Sequence, residues 1–126
     1  MMKSSSRILV FCSLLLIACQ SQQQGTIKKI DKKTIKTDVI GAEVQLIDVR
    51  TPEEFQIGHI DKAVNFNIMD SIMFSKQIIT LDKNRPVYLY CRRGNRSNKA
   101  AGILSDNGFK IVYDYSGGYD DWSIQN

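Results

Sequence analysis

From Thr26 onward, short apolar runs rich in β-branched and aromatic residues alternate with stretches of helical periodicity. Residues 26–30, 44–49, 63–68, 87–90 and 110–115 read as strands. Between them, residues 32–40, a segment opening at Thr51, and residues 71–81, 97–107 and 119–124 read as helices. Asp31 is placed to cap the first of these. The second has a full start signal: Thr51 as cap, Pro52 at the first helical position, and Glu54 to close a capping box. Ala100, Ala101, Ile103 and Leu104 give residues 97–107 one apolar side, and Gly108 is placed to stop that helix. Val87-Tyr88-Leu89-Tyr90 is apolar without alternation, as in a central strand covered on both faces. Strands alternating with helices predict an α/β fold whose mostly parallel sheet is covered on both sides. Ligands gather at the carboxyl ends of such strands. Asp48-Val49-Arg50 and Cys91 both fall at strand ends, on one edge of the sheet.

The first residues follow a different grammar. Lys3 and Arg7 precede Ile8-Leu9-Val10-Phe11-Cys12-Ser13-Leu14-Leu15-Leu16-Ile17, the charged start and apolar run of an export signal. That run is about half of the roughly 20 apolar residues a spanning helix needs. Leu16-Ile17-Ala18-Cys19 resembles a bacterial lipobox, which implies cleavage before Cys19 and acylation of its thiol. Buried acyl chains would then hold the domain at a membrane surface. The chain therefore divides into a leader over 1–18, the lipidated Cys19 with a polar Gln- and Ser-rich tether over 19–25, and a globular domain over 26–126. The expected location is the bacterial cell envelope or periplasm, outside the cytoplasm and anchored by lipid.

Composition places the chain in the ordinary globular class, at 43% hydrophobic and 24% charged in 126 residues, which is room for one domain. The formal charge of +4 falls to +2 once Lys3 and Arg7 leave with the leader. Basic residues cluster in one loop only, which argues against a nucleic-acid partner. The cysteine count changes the picture more. Cys12 leaves with the leader and Cys19 carries lipid, so Cys91 is a thiol without a disulfide partner in an oxidising compartment.

Its neighbours point to reactivity rather than to packing. Cys91-Arg92-Arg93-Gly94-Asn95-Arg96-Ser97 links a buried strand to a helix. A thiol opening such a loop faces backbone N–H groups and the positive end of the helix, and Gly94 permits the tight turn. Arg92, Arg93 and Arg96 add three positive charges. These features favour thiolate over thiol, and would also hold an anion beside the sulfur.

The loop resembles the active-site loop of rhodaneses, a Cys with four residues before an Arg. Ile47-Asp48-Val49-Arg50-Thr51-Pro52-Glu53-Glu54-Phe55 followed by Gly58-His59-Ile60 resembles the family's upstream signature. Gly117-Gly118-Tyr119 with Trp122 resembles its downstream one. The resemblance implies a small domain with a five-stranded, mainly parallel sheet flanked by helices on both faces. It further implies a sulfurtransferase: Cys91 takes a sulfane sulfur from thiosulfate or a similar anionic donor, holds it as a persulfide, and yields it to cyanide, a small thiol or a protein thiol. Arg92, Arg93, Gly94, Asn95, Arg96 and Ser97 would form the loop and bind the anion. Asp48 and Arg50 would organise the edge of the site by hydrogen bonds, and His59 would support structure near a helix end. Glu54 is explained by capping alone; Trp122, Tyr119 and Phe109 read as core or cleft-lining aromatics. Neither metal nor organic cofactor is implied, and a monomer is expected. The segment from Asp61 to Asn67 departs from the Pro-containing turn usual in the family.

Three other readings compete. A Cys-dependent phosphatase or arsenate reductase has a loop one residue longer and often a His where Tyr90 stands. A thiol–disulfide oxidoreductase brings a second cysteine near the first. A non-catalytic rhodanese-like module, binding a partner or sensing sulfur species, often lacks the cysteine. Loop length, the lone thiol and the retained Cys91 each favour sulfur transfer.

Overall fold

The structure, a computed structural model, describes residues 23–125, so the leader and Cys19 lie outside the described residues. In chain order the elements are β1 (Thr26–Ile30), α1 (Lys32–Thr34) with a π-helical continuation (Ile35–Val39), β2 (Gln45–Asp48), α2 (Pro52–Ile57) and β3 (Val64–Asn65). There follow α3 (Ser71–Ile78), β4 (Val87–Tyr90), α4 (Asn95–Asp106), β5 (Ile111–Tyr115) and α5 (Gly118–Ser123). The strands form one sheet in the order β1-β5-β4-β2-β3, and every neighbouring pair is parallel.

Alternation along each strand sorts the side chains onto two faces. On one, Ile47, Leu89 and Val112 pack with Phe74 and Ile78 of α3 and with Ala100, Ala101 and Leu104 of α4. On the other, Leu46, Tyr90 and Tyr115 pack with Ile35 and Val39 and with Phe55, Tyr119 and Trp122 from α2 and α5. Full burial of one side chain such as Leu104 stabilises by about 1.5–3 kcal/mol. Phe109 joins the first face and is wholly buried, whereas Tyr119 and Trp122 lie partly buried on the second.

Both N-caps act as the sequence proposes, but Glu54 accepts from the Thr51 hydroxyl rather than closing the box on the Thr51 N–H. Asp31 accepts from the Thr34 N–H at 2.9 Å, and Thr51 accepts from the Glu54 N–H at 3.3 Å. Three expected elements come out differently. The strand expected over 63–68 is regular only at Val64–Asn65. Beyond it, Phe66 and Ile68 donate to the successive carbonyls of Asp48 and Val49, so two residues advance against one and the ladder bulges. Residues 35–39 wind as a π-helix rather than continuing α1, with Ile40 N–H reaching back to Ile35. The helix expected from residue 97 begins at Asn95, because Gly94 takes the left-handed conformation (φ 101°) and its carbonyl accepts from Asn98 N–H. Asn95 and Arg96 therefore belong to the first turn of α4, not to a free loop.

Candidate functional site

β4 and β2 run in parallel register, with Asp48 beside Tyr90, so Cys91 and Arg50 leave the sheet at the same edge. Cys91 is 1% exposed and forms the floor of a polar cleft of about 170 Å³ lined by Arg92, Arg93, Asn95 and Arg96. An adjoining cleft of about 330 Å³ shares Arg93 and Asn95 and adds Lys29, Asn98 and Ser116. An apolar groove of about 230 Å³ beside α3 and α4, lined by Ile78, Ile79 and Ile103, holds no thiol and no arginine. The thiol and the arginines meet at the loop.

Backbone geometry holds the sulfur. The Gly94 N–H donates to Cys91 Sγ at 3.0 Å, the thiol faces Ser97 Oγ at 3.6 Å, and Ser97 Oγ donates to the Gly94 carbonyl at 3.2 Å. A side chain at Gly94 would meet the Ser116 carbonyl at 2.6 Å. The start of α5 clamps the other end of the loop: Tyr119 N–H donates to the Cys91 carbonyl at 2.8 Å and Asp120 N–H to that of Arg92 at 3.1 Å. Gly118 (φ 67°) makes this approach possible, since a Cβ there would lie 2.5 Å from both carbonyl oxygens.

The three arginines are paired with carboxylates from α2 and α5. Arg92 and Arg93 share the Asp120 carboxylate, at 3.1 and 2.8 Å. Arg96 makes a two-pronged pair with Glu54, at 2.7 and 3.0 Å. Hydrogen bonds from Arg93 and Arg92 lower the acidity midpoint of Asp120, but the pairs are exposed and screened by solvent. Three cations against two carboxylates still leave the mouth positive.

Glu54 thus does more than cap α2: it ties that helix to the first turn of α4. The Arg96 hydrogen bonds hold its carboxyl down at about 2, against an ordinary value of 4.5. The same bonds raise the Arg96 guanidinium. A depressed carboxyl contributes stability that is fully present above pH 4.5 and is lost as pH falls toward about 2. The parent is therefore expected to lose more stability than Glu54→Gln between those limits, read as urea midpoints across pH. Parallel curves for the two proteins would remove the pair as a link.

Asp48 and Arg50 lie beneath the site and do not line the cleft. Asp48 is wholly buried and Arg50 is 3% exposed. Arg50 Nε donates to both Asp48 oxygens at 3.0 Å, and Nη2 donates to Asp48 at 2.7 Å and to the Gly58 carbonyl at 2.6 Å. Burial opposes the guanidinium charge, but the Asp48 hydrogen bonds prevail and raise its midpoint. The guanidinium carbon sits 4.2 Å from the centre of the Tyr119 ring, whose own N–H clamps Cys91. The pair thus braces the floor of the site through α5. His59 is brought elsewhere: its ring stacks on Phe55 at 3.9 Å and Nδ1 donates to the Phe55 carbonyl at 3.1 Å, at the end of α2.

Several participants carried no usable signal in the sequence. Tyr90 accepts from the Ile60 N–H at 2.9 Å, and burial followed by the Asp48 charge pushes its phenol well up. Asn65 donates to the carbonyls of Asp48 and Arg50, at 3.0 and 2.9 Å, fixing the exit of β2. No spacing ties Asp120 to the arginines; only the docking of α5 does. Asp114 had a signal, an acid within the otherwise apolar Ile111-Val112-Tyr113-Asp114-Tyr115, and the structure leaves it buried with both oxygens unpartnered.

Comparison with known proteins gives concordant matches. The family model for the Rhodanese-like domain matches residues 28–125. The Bacillus subtilis protein YqhL is 33% identical over 117 residues, covering 91% of this chain and 89% of its own length. The thiosulfate sulfurtransferase GlpE of Shewanella oneidensis is 37% identical over 83 residues, covering 66% of this chain and 79% of its own. A crystal structure of a rhodanese-like domain protein from Staphylococcus aureus superposes with a TM-score of 0.67 at 32% identity, covering 79% of this chain and 94% of that one.

Proposed function

The chain belongs to the rhodanese-like domain family, and from that premise we propose that it is a sulfurtransferase using Cys91 as its sulfur carrier. The observation that carries this reading is the seating of Cys91 Sγ: a thiol on the floor of a small cationic cleft, held at 3.0 Å by the Gly94 N–H. The likeness to a thiosulfate sulfurtransferase supports the donor class.

The reaction has two halves. The Cys91 thiolate attacks the outer, sulfane sulfur of an anionic donor such as thiosulfate. A bond forms between the two sulfurs, the donor's own S–S bond breaks, and its electron pair leaves with sulfite. Cys91 then carries a persulfide. The acceptor, cyanide or a thiolate, attacks the terminal sulfur, and the electron pair of the S–S bond returns to Cys91. With cyanide the product is thiocyanate. Positive charge left over at the mouth attracts the donor, and the Gly94 N–H stabilises negative charge on the sulfur in both resting states.

The test is to mix the purified protein with thiosulfate, measure intact mass, and then add cyanide. One added sulfur, discharged as thiocyanate with sulfite released in the first half, supports the reading. A folded protein that gains no sulfur from thiosulfate, mercaptopyruvate or polysulfide would instead favour a binding module.

Export and lipid anchoring form a separate part of the proposal and rest on Leu16-Ile17-Ala18-Cys19 with the apolar run before it. Cys19→Ala is expected to move the protein from the membrane to the soluble fraction. Unchanged partitioning would sink the anchor while leaving sulfur transfer untouched.

A further inference from the structure

A persulfide on Cys91 makes a geometric demand that its own cleft does not meet for every acceptor. The acceptor displaces Cys91 by attacking the terminal sulfur along the sulfur–sulfur axis, so its nucleophilic atom enters by the side from which sulfite departs. The cleft over Cys91, about 170 Å³, takes a small donor or cyanide but leaves little room for the body of a larger thiol. The adjoining cleft of about 330 Å³ supplies that room. It meets the first at Arg93 and Asn95, which line both.

The chemistry of this second lining is one-sided. Lys29 from β1, Asn98 from α4 and Ser116 after β5 join Arg93, Gly94 and Asn95, with no carboxylate and no apolar side chain among them. Charge there is also less compensated than beside the sulfur. All three loop arginines are paired with Asp120 or Glu54, whereas Lys29 is exposed and forms no ion pair among the described residues. Asp114, its register partner on β5, is wholly buried. Two cations with carboxamide and hydroxyl donors recognise a carboxylate, while an apolar chain finds nothing to bury against. An exposed lysine by itself is an ordinary solvated charge. What distinguishes Lys29 is its place on a cleft that shares two lining residues with that of the nucleophile.

We propose that this second cleft is the acceptor subsite, that it selects small thiols bearing carboxylates, and that Lys29 sets the preference. The inference rests on the sulfur-transfer reading and names the acceptor class for it. The acceptor's carboxylate lies against Lys29 and the Asn95 and Asn98 amides, while its thiolate reaches past Arg93 to the terminal sulfur of the persulfide. A bond forms between these two sulfurs, the Cys91 sulfur–sulfur bond breaks, and its electron pair returns to Cys91. The acceptor departs as its own persulfide. Cyanide carries no carboxylate, needs only the first cleft, and is indifferent to Lys29.

The experiment loads the full chain with sulfur from thiosulfate, removes the donor, and follows discharge by three acceptors: mercaptosuccinate, the neutral thioglycerol, and cyanide. The parent is compared with Lys29→Gln and Lys29→Glu, and with Asn98→Asp as an independent variant elsewhere in the lining. For mercaptosuccinate, the half-saturating concentration is expected to rise about 3–10-fold in Lys29→Gln and further in Lys29→Glu and Asn98→Asp, with the differences shrinking at high salt. Thioglycerol and cyanide are expected to stay within about twofold of the parent in every variant. Unchanged discharge by mercaptosuccinate overturns the proposal. So does an equal slowing of both thiols, which a structural effect would give. Cyanide separates the two ways of failing. If it releases thiocyanate from every variant while Lys29 and Asn98 have no effect, sulfur transfer stands and only the subsite falls. If no protein takes up sulfur at all, the transfer reading fails first and the subsite with it.

Discussion

Cys91→Ser is expected to take up no sulfur from thiosulfate and to release no thiocyanate with cyanide, a loss on the order of 10³-fold or more, while the fold is kept. The size of the effect follows from the step itself. A carrier must form and break a sulfur–sulfur bond, and an alkoxide can neither form a persulfide nor exist in useful amount near neutral pH. The fold should survive because the substitution keeps the shape of a side chain that is already 1% exposed. The new hydroxyl inherits the Gly94 N–H as a partner and can bond with Ser97 in place of the thiol. Stability is therefore expected within about 1–2 kcal/mol of the parent. Intact mass after thiosulfate, thiocyanate release and a urea melt check all three parts. Sulfur retained on the variant would refute Cys91 as the carrier. A loss of activity accompanied by unfolding would leave the chemistry undecided, and Cys91→Ala, which keeps only the packing, then becomes the comparison.

Arg50→Met is expected to cost about 3–5 kcal/mol of stability, because it strands the Asp48 carboxylate in the interior. In the parent, the Asp48 carboxylate accepts from the Arg50 guanidinium and from the Arg50 backbone N–H, at 2.7–3.0 Å. Removing the guanidinium leaves the charge desolvated or forces the carboxyl to take up a proton. For a domain of about 100 residues, this corresponds to a melting point lowered by roughly 12–40 °C. Removing both charges in Asp48→Asn/Arg50→Met is expected to recover a large part of the loss, since the penalty lies in the orphaned charge more than in the missing attraction. A single-variant cost below about 1 kcal/mol would exclude the pair as the brace between β2, the α2 end and α5. Because Arg50 lies under Tyr119 and Tyr119 holds the Cys91 carbonyl, the surviving folded fraction should also load sulfur more slowly.

Local order is what the sequence by itself determined. Periodicity located all five strands and five helices of the described region, because side-chain alternation and helical stripes are properties of neighbours in the chain. The caps at Asp31 and Thr51 were legible for the same reason. So was the identity of the loop from Cys91 to Ser97, where the types and spacing of residues within seven positions carry the signal. The shortness of β3 was not legible, because it arises where Phe66 and Ile68 meet successive carbonyls of a different strand.

Only the tertiary structure decided how charge is distributed around the sulfur. Arg92, Arg93 and Arg96 read as three positive charges along the chain; Asp120 and Glu54 neutralise most of that charge from 27 to 42 residues away. Asp48 and Arg50 read as the rim of the site, yet lie buried beneath it. The physical reason is common to both. Backbone propensity acts between residues a few positions apart, whereas ion pairing and desolvation depend on distance in space and on exclusion of water, which the chain acquires only when its layers close.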